Sequence, residues 1–196
     1  KSRFSTSCVK QFPFCLRMLN ALKWNKAITA LQRRVLRGIG RLRANATGVR
    51  LNLPAEGDAW ASKGWAAVHV RAFVCAWNKR KPSFDHIATA LSKLGVSSGI
   101  LYVVSSVPVE QVQSALPQFT VIAKSTFLGR DVRLKYPFEV LAAVDYGVAV
   151  AAPHYLGEPM MSSFDAFASA ERQRLNKGGV DEIAGACDSS KVGPGA

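Results

Sequence analysis

The sequence predicts an α/β domain with a mainly parallel sheet in three layers, preceded by a basic helical extension. Three observations carry this reading. Short apolar stretches of strand length alternate with helical stretches from residue 65 onward, and that order favours parallel strands joined by crossover helices. Hydrophobic residues make up 48% of the 196, enough for a sizeable core in one α/β-sized domain. No apolar run approaches the ~20 residues that span a bilayer.

Taken in order, residues 1–15 read as an irregular basic lead. From Leu22 to Leu42 the period becomes helical: Trp24, Ile28, Leu31, Val35, Ile39 and Leu42 share one face, and Arg33, Arg34, Arg37 and Arg41 the opposite one. Residues 44–64 read as a loop punctuated by Pro54, Gly57 and Gly64. WAAVHVR (65–71) is an apolar strand with a polar end. Asp85 can cap a helix running to Leu94, which Gly95 stops. ILYVVS (100–105) is a buried strand, Pro108 opens a helix near Val109–Leu116 at its first turn, and Phe119–Ala123 is a third strand. Pro137–Tyr146 reads as helix, GVAVA (147–151) as a fourth strand, and Ser163–Leu175 as the closing helix. From Asn176 a Gly- and Ser-rich tail reads as mobile. The expected division is an extension over 1–64, a Rossmann-like domain over 65–175 and a flexible tail over 176–196.

Charge is segregated. Residues 1–50 hold twelve Lys or Arg and no acid, whereas the remainder holds fourteen basic and thirteen acidic residues. The net charge of +13 therefore belongs to the extension. Its helix (22–43) reads as packed on the domain by its apolar stripe with solvated arginines, or as a surface for nucleic acid or an anionic membrane. An Arg-rich lead without acids also resembles an organelle transit segment, with few serines for one. Of the four cysteines (8, 15, 75 and 187) none forms C-x-x-C; Cys8 and Cys15 could pair in an oxidising compartment or stay free. Asn45-Ala46-Thr47 is a glycosylation sequon. A start at Lys1 rather than Met reads as a fragment or a mature form.

A parallel sheet binds ligands beyond the carboxyl ends of its strands, which directs attention to the ends at Val70, Ser105 and Val150. At the first, strand alternation puts His69 and Arg71 on one side. A guanidinium there offers planar, permanently charged donors to a phosphate; the alternative is an Arg paired to an acid and a hydrogen-bonded core histidine. At the start of the last helix, Met161-Ser162-Ser163-Phe164 offers hydroxyls, free N–H groups and the positive end of the dipole to an anion; the alternative is ordinary N-capping by Ser162. Asp145, in Ala142-Ala143-Val144-Asp145-Tyr146, could accept two donors from a guanine, or be a solvated helix-end acid. No G-x-G-x-x-G, P-loop or H-E-x-x-H occurs, and His69, His86 and His154 lack metal spacing.

In this order the pieces resemble the GDP-fucose protein O-fucosyltransferase-like family over about residues 65–175. The carriers are WAAVHVR, similar to the family's strand ending in H-x-R; ILYVVSS, with the later turn Leu116-Pro117-Gln118-Phe119; and AAVDYGVAVAAPHYLGEPMMSSFDAFASAERQR. The resemblance implies the C-terminal, donor-binding half of a GT-B glycosyltransferase, with GDP-fucose as donor substrate, no separate cofactor or metal, a protein Ser or Thr hydroxyl as acceptor, and a secretory (ER or Golgi) location. It assigns Arg71 to the diphosphate as the catalytic group, His69 to the same pocket, Ser162 and Ser163 to phosphate oxygens with Phe164 beside them, and Asp145 to the guanine. The family's Gly-rich N-terminal half has no counterpart here, so a missing half-domain is implied. The acid that often follows H-x-R is absent from Ala72–Ala76, though Trp77 follows. The rival expectations are a basic binding module on a Rossmann-like scaffold and a domain for another nucleotide sugar.

Overall fold

The computed structural model describes residues 25–47, 64–70, 84–105, 107–158 and 162–182. Their elements are α1 (Lys26–Thr47), β1 (Trp65–Val70), α2 (Phe84–Lys93), β2 (Gly99–Ser105), α3 (Val109–Ala115) and β3 (Phe119–Ile122). There follow α4 (Lys124–Phe127), α5 (Arg130–Lys135), α6 (Phe138–Ala151), β4 (His154–Gly157), α7 (Ser163–Arg174) and the two-residue β5 (Asp181–Glu182). All strand pairs are parallel, in the order β3-β2-β1-β4-β5. The chain builds outward from β1 through β2 to β3, then crosses back to lay β4 on the other side of β1. That reversal is the topological switch of a Rossmann-like sheet, and ligands of such sheets lie beyond it.

Strand alternation divides the core in two. Trp65, Ala67, Ile100, Tyr102, Val104, Ile122 and Tyr155 face a layer made by α1, α6 and α7. Ala66, Val68, Val70, Leu101, Val103, Phe119 and Leu156 face Ile87 and Leu91 of α2 and Val112 of α3. Burying each large apolar side chain stabilises the fold by about 1.5–3 kcal/mol, and both faces of β1 are covered, as its unbroken apolar run requires.

Helix α1 behaves as its periodicity demands. Leu31, Val35, Leu36 and Ile39 are buried, while Arg33, Arg34, Arg37 and Arg41 are exposed. The helix starts and ends later than the apolar pattern implies: Lys26 is its first residue, 44–47 continue it, and Asn45 is exposed in its last turn. Trp24, the basic lead, all four cysteines and positions 48–63 lie outside the described residues. In α2, Asp85 sits inside the first turn rather than capping it. At its far end Gly95 adopts φ +75, its N–H bonds to Ser92 O, and the Val96 N–H returns to Leu91 O, a Schellman stop that needs the left-handed residue. No helix among the described residues is long and apolar enough to cross a membrane.

Two further expectations fail. GVAVA is not a strand: residues 147–151 are the second half of α6, and the fourth strand is His154–Gly157. Helix α6 lies between α1, α7 and the sheet, so apolar residues surround it and the amphipathic period vanishes. Gly147 sits where α1 passes: a Cβ there would lie 2.2 Å from Gln32 Nε2, and that amide nitrogen donates to Ala143 O at 2.9 Å. The strand end expected at Val150 is thereby moved to Gly157. Residues 176–182, expected as tail, instead fold back to place β5 beside β4.

Candidate functional site

His69 lies near the carboxyl end of β1, one register step beyond the Val68–Leu156 pair with β4, at the switch between these strands. Its Nδ1 lies 2.9 and 3.0 Å from the two carboxylate oxygens of Asp165. Asp165 sits in the first turn of α7, where negative charge suits the helix dipole. Its carboxylate also accepts from the Tyr155 hydroxyl and from the Glu158 backbone N–H at 2.9 Å. Burial, and next the Asp165 charge, hold the Tyr155 phenol well above its ordinary pKa, so it stays a donor. Asp165 is 1% exposed, and Gly157 makes room for it: a Cβ at 157 would come within 2.7 Å of Asp165 Cγ. The Phe164 ring, 5.0 Å from the His69 ring, closes another side and meets Tyr146 edge-on at 5.7 Å.

A second cluster adjoins the first. Asp145, on α6, accepts from the Tyr102 hydroxyl at 2.6 Å and from the Lys124 ammonium. Burial pushes the Asp145 carboxyl above its ordinary pKa; the Lys124 ammonium is the main influence opposing this. Lys124 also lines an open cleft of about 390 Å³ beyond the ends of β2 and β3, with Ser105, Glu110, Ser125, Thr126 and Arg133, a volume within the range of small-molecule sites. Ser105 closes the joint between β1 and β2: its hydroxyl donates to Val70 O at 2.7 Å and accepts from Val107 N–H at 2.6 Å.

No protein-family model matches this chain, and neither does any curated protein. The site is therefore read from its own geometry. Of the residues singled out in the sequence, His69 and Phe164 meet. Ser162 is buried, and its hydroxyl accepts from the Asp165 backbone N–H at 3.3 Å, the capping role weighed as the alternative to phosphate binding. Ser163 is exposed. Asp145 is 3% exposed, with both oxygens occupied; it anchors Lys124 and has no free edge for a guanine. Arg71 and Met161 lie outside the described residues.

Sequence reasoning passed over Asp165, Tyr155, Lys124 and Gly157. Asp165 had a signal, since Ser162-x-x-Asp165 is the pattern of a capping box. Here its carboxylate serves His69 and β4 instead. Arg172, also missed, is 1% exposed and donates to the carbonyls of Ala149, Val150, Ala152, Pro153, Lys177 and Gly179. It is structural, tying the end of α6 to the lead into β5. No cluster of three or more metal-type side chains assembles among the described residues.

Proposed function

We propose that this domain is the donor-binding half of a GDP-fucose-dependent O-fucosyltransferase, with the donor diphosphate beyond the β1–β4 switch. One observation carries the reading: His69, from the H-x-R stretch, packs on Phe164 and bonds Asp165, from the Ser-Ser-Phe-Asp stretch. Two segments that resemble the family, nearly a hundred positions apart in sequence, thus meet at the place where Rossmann-like sheets bind ligands. Arg71 follows Val70 directly in sequence, and a guanidinium there would stabilise the charge developing on departing GDP. The nucleoside extends toward the cleft beside Ser105 and Lys124. The acceptor is a protein Ser or Thr hydroxyl, a second half-domain completes the enzyme, and the compartment is the secretory pathway.

Calorimetry with GDP tests the reading. The wild type should bind GDP in preference to UDP and CDP, and Arg71→Ala should lose about tenfold or more, that is about 1.4 kcal/mol. Absence of GDP binding by the folded wild type, or equal binding by both proteins, refutes it. Preference for UDP or CDP would make this a domain for another nucleotide sugar.

A second reading has its own observation, the exposed arginines of α1. It makes α1 a polyanion-binding surface, for which affinity falls steeply with salt and disappears when the exposed Arg34, Arg37 and Arg41 are replaced by Gln. Binding that survives these substitutions rejects it.

A further inference from the structure

One ring nitrogen of His69 is committed. An ionised carboxylate has no proton to give, so the proton in the Nδ1 contact with Asp165 belongs to the imidazole. Asp165 cannot swing aside to allow the other tautomer. Tyr155 and the Glu158 N–H hold its oxygens, and the backbone of Gly157 lies against it. In the neutral ring Nε2 therefore carries a lone pair and can only accept. Among the described residues it has no hydrogen bond, and the side chain keeps 13% exposure. A phosphate oxygen, itself an acceptor, is a poor partner for such a nitrogen. A hydroxyl, with a proton to give, is a good one.

We infer that His69 is the general base for the acceptor hydroxyl and that Asp165 is the residue that positions it; this rests on the transfer reading above. As the hydroxyl oxygen bonds to the anomeric carbon, Nε2 takes the hydroxyl proton. The bond from that carbon to the diphosphate oxygen breaks, and its electron pair leaves with GDP. Asp165, fixed against Nδ1, offsets the positive charge that forms on the ring.

Nitrogen NMR of the imidazole tests the positioning part without any ligand. The neutral His69 ring should carry its proton on Nδ1 in the wild type, and Asp165→Asn should shift it toward Nε2. A wild-type ring protonated on Nε2 overturns the inference, and that spectrum needs no variant to fold. Calorimetry and turnover test the base. His69→Gln should bind GDP within about twofold of wild type, and the kcat for fucosyl transfer of the enzyme completed by its second half-domain should fall about 10²–10⁴-fold. Loss of GDP affinity in His69→Gln as large as in Arg71→Ala would make His69 a phosphate ligand and overturn the base role. A wild type that binds no GDP removes the transfer reading and the base with it, while the tautomer still decides the part assigned to Asp165.

Discussion

Replacing Arg172 with leucine should cost far more than its place near a helix end suggests. The guanidinium is buried, and its partners are backbone carbonyls rather than a paired acid. Nε reaches Gly179 O at 3.1 Å, the Ala152 contact is short, and the contacts to Ala149, Val150, Pro153 and Lys177 run from 3.2 to 3.3 Å. Helix α6 has no basic residue in its own last turn, so Arg172, together with the Lys177 ammonium at Ala151 O, supplies donors for the terminal carbonyls and the positive charge that complements the dipole. Hydrogen bonds to a charged group contribute about 1.5–3 kcal/mol each. Counting only the two closest at full value, with the longer ones replaced by water, gives a loss of about 3–6 kcal/mol. For a chain of this size that lowers Tm by on the order of 10 °C. Urea and thermal unfolding followed by circular dichroism would measure it. Arg174→Ala is the control: two residues on, this side chain is 44% exposed and pairs among the described residues with Glu171, a contact worth about 0–1 kcal/mol. Should the two variants fall within about 1 kcal/mol of each other, Arg172 does not hold this joint and its burial needs another account.

Gly157→Ala should destabilise by about 2–4 kcal/mol, by overpacking and by displacing a buried hydrogen-bonded carboxylate, and should scramble the His69 tautomer in the same spectra. Wild-type stability with an unchanged tautomer would show that Asp165 has room to spare. For Asp145, burial raises the folded-state pKa, so the folded form binds the proton more tightly than the unfolded chain. As pH falls through that raised value toward the ordinary one of about 3.9, this group adds stability; above the window its charge is a cost. Subtracting the stability curve of Asp145→Asn from that of wild type should show the sign. Lys124→Met should move the Asp145 titration to still higher pH, read from its carboxyl carbon, and an unmoved titration would deny the pairing.

The sheet was legible where each strand showed a clear edge. Ile100, Phe119 and the polar end of WAAVHVR bracket β1 to β3, and Pro108 and Gly95 mark the helices between them within a residue or two. The fourth strand was misplaced because two signals conflict in residues 138–157. Val144, Val148 and Val150 favour a strand, but Ala142, Ala143, Ala149 and Ala151 favour a helix, and a helix enclosed by neighbours loses the polar face that would have decided the matter. The true strand, His154–Gly157, is short and carries a histidine and a glycine, residues kept there for what they face: Gly157 for Asp165, and Tyr155 as the donor to it. Periodicity reports only that a residue is buried. It does not report which carboxylate it is buried against. The same limit explains Asp145, whose partners Tyr102 and Lys124 lie 43 and 21 positions away.

The start of α7 changes the balance of charge expected at the switch. A Ser-Ser-Phe turn opening a helix offers an anion its dipole and its free N–H groups. Here the chain fills part of that offer itself. The Asp165 N–H is used by Ser162, and the Asp165 carboxylate stands in the first turn, where it answers the dipole. A diphosphate arriving from solvent would meet a helix end already partly neutralised, with Ser163 its one exposed hydroxyl among Ser162 and Ser163. Positive charge for the leaving group must then come from a side chain, and Arg71 is the candidate next in sequence to Val70. This places unequal weight on the two halves of the proposed site. Removing the Ser163 hydroxyl should weaken GDP binding only by one neutral hydrogen bond, about 0.5–1.5 kcal/mol, whereas removing Arg71 takes away the charge itself. The helix start, in this view, contributes by aiming His69 rather than by gripping phosphate.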